Sequence, residues 1–158
     1  MVDYPEELRL PLVSGYSREV EPGFLQSEPL SGPVYNIRRS FDNPVRWQVQ
    51  FHFTYGQQRL FWQWFREALD DGLRPFNIPL KIEAGIFPQE CRFARDGIPR
   101  LTSVQGNHYR YNAVLLSRKV NDPDEGSYET LKLLAGNGSI TKAANGVDIA
   151  VNLVWPEA

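Results

Sequence analysis

Hydrophobic and polar residues alternate without a break from Val45 to Phe53. Val45, Trp47, Val49, Phe51 and Phe53 are apolar, with Arg46, Gln48, Gln50 and His52 between them. Side chains on a strand point alternately to opposite faces, so this stretch predicts a strand with one buried face. The other face meets solvent or a partner. The period changes at Thr54. Thr54 with Gln57 three residues on forms a capping box, in which the two side chains satisfy backbone donors at a helix start. The spacing predicts a helix from about Tyr55 to Leu69. Leu60, Phe61, Trp64, Phe65, Ala68 and Leu69 share one face, and Arg59, Gln63, Arg66 and Asp70 the other. Gly72 follows as the left-handed cap. Phe61, Trp64 and Phe65 each offer roughly 150–250 Å² for burial. At about 25 cal/mol per Å² that is several kcal/mol apiece as an upper bound, enough to pin the helix on a sheet. Trp62 lies about 100° from Phe61, at the edge of the apolar arc. It reads either as a half-buried tryptophan or as a subunit contact, where tryptophan is enriched.

Before this unit the chain is rich in breakers: Pro5, Pro11, Gly15, Pro22, Gly23, Pro29, Gly32 and Pro33. Proline fixes φ and removes a donor, so residues 1–33 are expected to be an extended arm, with a short strand at Leu8 to Leu12. The arm lies along its own domain or along a neighbouring subunit. A strand is expected at Val34 to Phe41, then an Asn43-Pro44 turn. After the helix come short strand-like pieces: Phe76 to Ile82, interrupted by Pro79, then Gln89 to Phe93, Arg100 to Val104 and Asn107 to Ser117. In the last, Tyr109, Tyr111, Ala113 and Leu115 alternate with Arg110, Asn112 and Val114. Asn121 to Gly126 reads as a linker, Tyr128 to Leu134 as a short helix, and Val147 to Trp155 as a strand. That last strand completes its own sheet or pairs with a neighbour's edge. The predicted fold is mainly β, a β-sandwich or rolled antiparallel sheet, with one principal helix at about 55–70 and extended terminal arms. Residues 34–120 form its core, and 121–158 a C-terminal extension that can act as an inter-subunit arm.

Composition narrows the function. Of 158 residues, 42% are hydrophobic and 13% aromatic, which is core-forming material and argues against disorder. A net charge of −2 with mixed signs gives no basic stripe, so no direct nucleic-acid binding is expected. No run approaches the roughly 18 apolar residues of a membrane span. The acidic start, Asp3 to Glu7, carries no signal-peptide pattern, so synthesis in the cytoplasm is expected. Cys91 is the only cysteine, which excludes a disulfide within the chain and reads as a packed core thiol.

No pattern of reactive residues stands out. There is no G-x-S-x-G elbow, P-loop or G-x-G-x-x-G. Neither His52 nor His108 has metal-ligand spacing to a cysteine or to the other histidine. Asp70-Asp71 reads as solvated charge at a turn. No catalytic residue, metal or cofactor is expected, and the chain is not expected to be an enzyme.

One layout carries a resemblance. Gly15-Tyr16-Ser17 precedes the alternating strand. The aromatic helix Leu60-Phe61-Trp62-Gln63-Trp64-Phe65 ends in Asp71-Gly72. Phe76-Asn77-Ile78-Pro79-Leu80, then Glu90-Cys91-Arg92-Phe93 and a strand closing near Lys119, complete it. This order, over residues 8 to 119, resembles the minor tail proteins of tailed bacteriophages, the family of phage lambda's protein M and its distal-tail relatives. The resemblance implies a virion structural protein in the tail, a β-sandwich with one helix. It implies assembly as a homo-oligomeric ring, a hexamer, at the tail tube and tail tip junction, with other phage tail proteins as neighbours. The residues after Asn121 have no counterpart in the shortest members, which leaves a neck or short-tail adaptor as a further position. A carbohydrate-binding β domain is the rival from another class, and it requires a concave aromatic pocket. A hydrolase would require His52 or His108 beside a carboxylate in a cleft. The interface candidates are Trp62, Gln48, Gln50, His52, Tyr16 and Trp155.

Overall fold

The computed structural model describes residues 1–136. The strand expected at Val147 to Trp155, Trp155 itself and the Asn145-Gly146 turn lie outside the described residues. The fold is mainly β, with one principal helical unit. Its centre is an antiparallel pair of long strands, β5 (Val45–Thr54) and β9 (His108–Ser117), in register from Val45↔Ser117 to Thr54↔His108. The alternation is realised residue by residue: Val45, Trp47, Val49, Phe51 and Phe53 are buried, opposite Ser117, Leu115, Ala113, Tyr111 and Tyr109.

The remaining strands extend this pair into a seven-stranded sheet ordered β1-β6-β7-β9-β5-β2, with β8 also on β9. They are β1 (Val2–Asp3), β2 (Ser17–Val20), β6 (Phe76–Ile82), β7 (Gly85–Phe93) and β8 (Arg100–Gln105). β9 is shared along its length: β7 pairs with residues 115–117 and β8 with residues 108–112. The far margins approach each other. Tyr16 donates its hydroxyl to the Lys81 carbonyl (2.7 Å), and the Arg18 guanidinium pairs with Glu83 at the β6–β7 turn. The sheet is therefore rolled around its apolar face.

The N-terminal segment lies along its own domain, one of the two courses expected of it. β1 pairs in parallel with β6, and β2 pairs with β5 in the main sheet. No strand forms at Leu8 to Leu12. Instead that segment turns, with Leu8 and Leu12 buried and the Leu12 N–H donated to the Gln50 carbonyl (2.7 Å). Its apolar residues reach the core without a ladder, which suits a proline-broken stretch. β6 runs unbroken through Pro79, against expectation. Pro79 faces Pro88 across the β6–β7 pair. Two residues that lack N–H groups lose nothing at a facing position whose donors point away from the partner strand.

The helix begins as predicted, with Gln57 Oε1 accepting from the Thr54 N–H at 3.2 Å. It does not run to Leu69 as one α-helix. α1 (Tyr55–Gln63) passes into a π-helical turn at Trp64–Ala68, closed by Leu69 N–H to the Trp64 carbonyl (3.2 Å). Phe61, Trp64, Phe65 and Leu69 are all buried, as their shared helical face predicts, and Trp64 and Phe65 are carried by the wider turn. Leu60, expected on that face, is 39% exposed. It sits at one edge of the arc, about 100° from Phe61, as Trp62 sits at the other. Asp70, Asp71 and Gly72 then take left-handed φ values of 54°, 56° and 87° and end the helix. A Cβ on Gly72 would meet the Phe65 ring at 2.8 Å, so only glycine fits there.

The core fuses aromatic rings from the N-terminal segment, β5, the helical unit, β6, β7 and β9. Phe51, Phe53 and Phe61 pack within 5.5 Å of one another, centroid to centroid, and Trp64 meets Phe76 edge-on at 5.1 Å. Two buried polar side chains are satisfied: Ser117 Oγ accepts from Trp47 Nε1 (2.9 Å), and Gln89 clamps Asn121. Gln89 donates to the Asn121 carbonyl (3.0 Å) and accepts from its N–H (2.7 Å), fastening the chain where it leaves β9. Cys91 is buried in the core, and burial pushes its thiol up to about 12. Two elements stand off this body: the hairpin β3 (Phe24–Ser27) and β4 (Tyr35–Arg38), a separate two-stranded sheet, and α2 (Tyr128–Gly136).

Gln89→Met keeps the volume but strands the Asn121 backbone. Chemical denaturation should show a loss of about 1–3 kcal/mol. Limited proteolysis should cut after residue 120 faster than in the parent. Gly97→Ala tests the tightest backbone contact, since a Cβ there would lie 2.3 Å from Val114 Cβ. Overpacking of that kind should cost about 1–3 kcal/mol in the same assay.

Candidate functional site

The polar face of β5 looks outward, and β9 sets a second polar row beside it. Register places Gln48 opposite Val114, Gln50 opposite Asn112, His52 opposite Arg110 and Thr54 opposite His108. A groove of about 370 Å³ runs over this face. Its polar lining includes Gln48, Gln50, Asn112, Thr102, Arg100 and Asp96. Gln50 Nε2 donates to Asn112 Oδ1 (3.0 Å), and Ser14 Oγ donates to Gln50 Oε1 (3.3 Å). One wall is the turn after β7. There the Gly97 N–H bonds the Ala94 carbonyl, and the Gly97 carbonyl accepts from Val114 N–H, which brings backbone against backbone. Arg46 fixes the groove's rim by pairing with Asp96 (2.6 Å), and this hydrogen bond holds the Asp96 carboxyl below its usual range.

At the far end of β5 the rings of His52 and His108 lie 5.0 Å apart. Desolvation lowers the pKa of His52 first, and the charges of His108, Arg110 and Arg9 lower it further. No group of three or more histidine, cysteine or carboxylate side chains among the described residues could hold a metal ion. No helix of the described residues is long and apolar enough to cross a membrane.

The sequence-based interface candidates divide. Gln48, Gln50 and His52 lie together on the outer face of β5, with Gln48 exposed and the other two half-buried. Trp62 is half-buried. It packs edge-on against Phe61 and Phe65, and its Nε1 donates to the Tyr111 hydroxyl (3.3 Å), so most of its bonding is within the chain. Tyr16 is half-buried too: its ring leans on Trp47, and its hydroxyl spans to Lys81 as a strut of the rolled sheet. Burial drives its phenol well above the usual range. Trp155 lies outside the described residues.

Sequence reasoning missed two things. The first is the cationic company of His52. Arg110 was visible as an alternating polar position of its strand, but only the register aligns it with His52. The second is the partner of the expected Val34 to Phe41 strand: β4 forms within that stretch, and β3, which pairs with it into a hairpin, was not foreseen. Phe24, Leu25, Val34, Tyr35, Ile37 and Phe41 are all exposed, Phe24 by 48% and Phe41 by 88%. Every β4 residue is exposed, so neither face of the hairpin is covered. Its signal was present as an apolar strand on each side of Pro29-Leu30-Ser31-Gly32-Pro33.

The chain matches no protein-family model, no curated protein and no solved structure.

The lowered pKa of His52 sets a direction for stability. Below the usual 6.5, the unfolded chain takes up a proton that folded His52 resists. Its contribution is thus complete above 6.5 and is lost as pH falls toward the folded value. Thermal melts in chloride buffer should show stability declining below pH 6.5, and His52→Gln should flatten that decline. A variant with an unchanged slope would remove His52 from the effect.

Proposed function

We propose that the chain is a structural subunit of a bacteriophage tail. It is a minor tail protein that assembles with copies of itself into a ring at the junction of tail tube and tail tip. The role is assembly, without turnover. Its partners are further copies and neighbouring tail proteins, and its place is the virion, after synthesis in the host cytoplasm.

The observation that carries this reading is the β3–β4 hairpin. An isolated two-stranded hairpin is marginal in water, and this one leaves apolar side chains open on both faces. The open area of these side chains is on the order of 800 Å², about what one partner contributes to a standard protein interface. Patches of that size mark interaction sites. α2 adds Tyr128, Leu131, Leu133 and Leu134, also exposed. The resemblance of the sequence's layout to that of minor tail proteins supplies the setting. The carbohydrate-binding alternative draws no comparable support, because among the described residues the groove on β5 and β9 has no aromatic lining on which a sugar ring could stack.

Light scattering on the purified chain, and subunit placement in micrographs of native particles, test the proposal. A symmetric oligomer is expected in both. Leu25→Ser with Ile37→Ser should abolish it while leaving the monomer's melting temperature within about 4 °C, since two exposed substitutions together change stability by about 1 kcal/mol or less. A chain that stays monomeric and is absent from purified particles would overturn the reading.

A further inference from the structure

We propose that Arg9, His52, His108 and Arg110 form a binding site for a phosphate-type oxyanion on the outer face of the β5–β9 pair. The site stands apart from the hairpin and does not rest on the ring reading. Its groups come from three segments that the fold holds together. His52 and Arg110 face each other across the two strands, and His108 follows opposite Thr54. The imidazoles are 5.0 Å apart, a span that one tetrahedral anion can bridge with two oxygens.

Arg9 arrives on the N-terminal loop, whose backbone is tied down on both sides. Tyr4 donates its hydroxyl to the Arg9 carbonyl (2.6 Å), Gln57 Nε2 donates to the Glu7 carbonyl (3.2 Å), and Leu12 N–H bonds Gln50. Among the described residues, neither guanidinium has an ion-pair partner. The charges that act on His52 are those of His108, Arg110 and Arg9, with no carboxylate among them. A cluster of this kind repels itself, and among the described residues no carboxylate pairs with it.

An oxyanion supplies what is missing. Guanidinium offers a planar fork of donors, and each protonated imidazole adds one N–H toward the site. The second ionisation of a phosphate ester falls near 6, in the same range as histidine. Binding therefore couples to protonation. The anion favours the charged imidazoles, so occupancy must raise both histidine titration midpoints.

The chain's two histidines make this directly readable. Proton NMR of their ring C–H signals is followed from pH 4.5 to 8.5 in chloride, in acetate and in inorganic phosphate, at equal ionic strength. In saturating phosphate both midpoints should rise by about one pH unit, equivalent to a roughly tenfold preference for the protonated form of each histidine. Acetate should leave them at the chloride values. Arg110→Gln and, separately, Arg9→Gln should each reduce the phosphate shift, with circular dichroism confirming an unchanged fold. Equal midpoints in phosphate and chloride would overturn the proposal. So would an equal shift in acetate, or a full shift retained in both arginine variants.

Discussion

The whole structure depends on one long antiparallel pairing, β5 against β9. Ten residue pairs in unbroken register fix which side chains face in and which face out. A slip of one residue would turn Trp47, Phe51 and Phe53 to solvent and bury Gln48, Gln50 and His52. The cost of that inversion makes the register strongly specified. Everything else is attached to one side of this divide. The helical unit and the N-terminal loop cover the aromatic face, while β7, β8 and β2 complete the roll.

The aromatic face explains why the helix departs from regular geometry. Phe61, Trp64, Phe65 and Leu69 all reach the core, and Trp64 and Phe65 do so from within the π-helical turn. The π-helical turn widens the helix at the point where Trp64 meets Tyr4 and Phe76. Three left-handed residues then release the chain into β6. Local backbone regularity gives way to packing, because burying large rings outweighs the propensity cost of one irregular turn.

Much of this was legible in the sequence. The alternation of Val45 to Phe53, the Thr54–Gln57 cap, the glycine after the helix and the order of the later strands all follow from local period and turn chemistry. What escaped was set by distant partners. A strand was expected at Leu8 to Leu12, yet these residues are buried from an irregular segment outside any ladder. Pro79 signalled an interruption, and only the facing Pro88 shows why none occurs. Leu60 shares the helical period of the core residues but lies at the arc's edge. The outer face was partly legible: Gln48, Gln50 and His52 were placed correctly by alternation. Their neighbours Asn112, Arg110 and His108 depend on a register that no local pattern encodes.

The Pro79–Pro88 pair also bears on how the molecule avoids the wrong company. At that level of the β6–β7 hairpin both outward positions lack the N–H that an incoming strand would need to hydrogen-bond. The stretch therefore resists being templated into a continuous intermolecular sheet from either side. A chain that carries an uncovered apolar hairpin elsewhere runs a risk of fibrous, open-ended growth. Two prolines placed back to back remove one route to it, and leave strand addition to the edges that the fold keeps chemically competent.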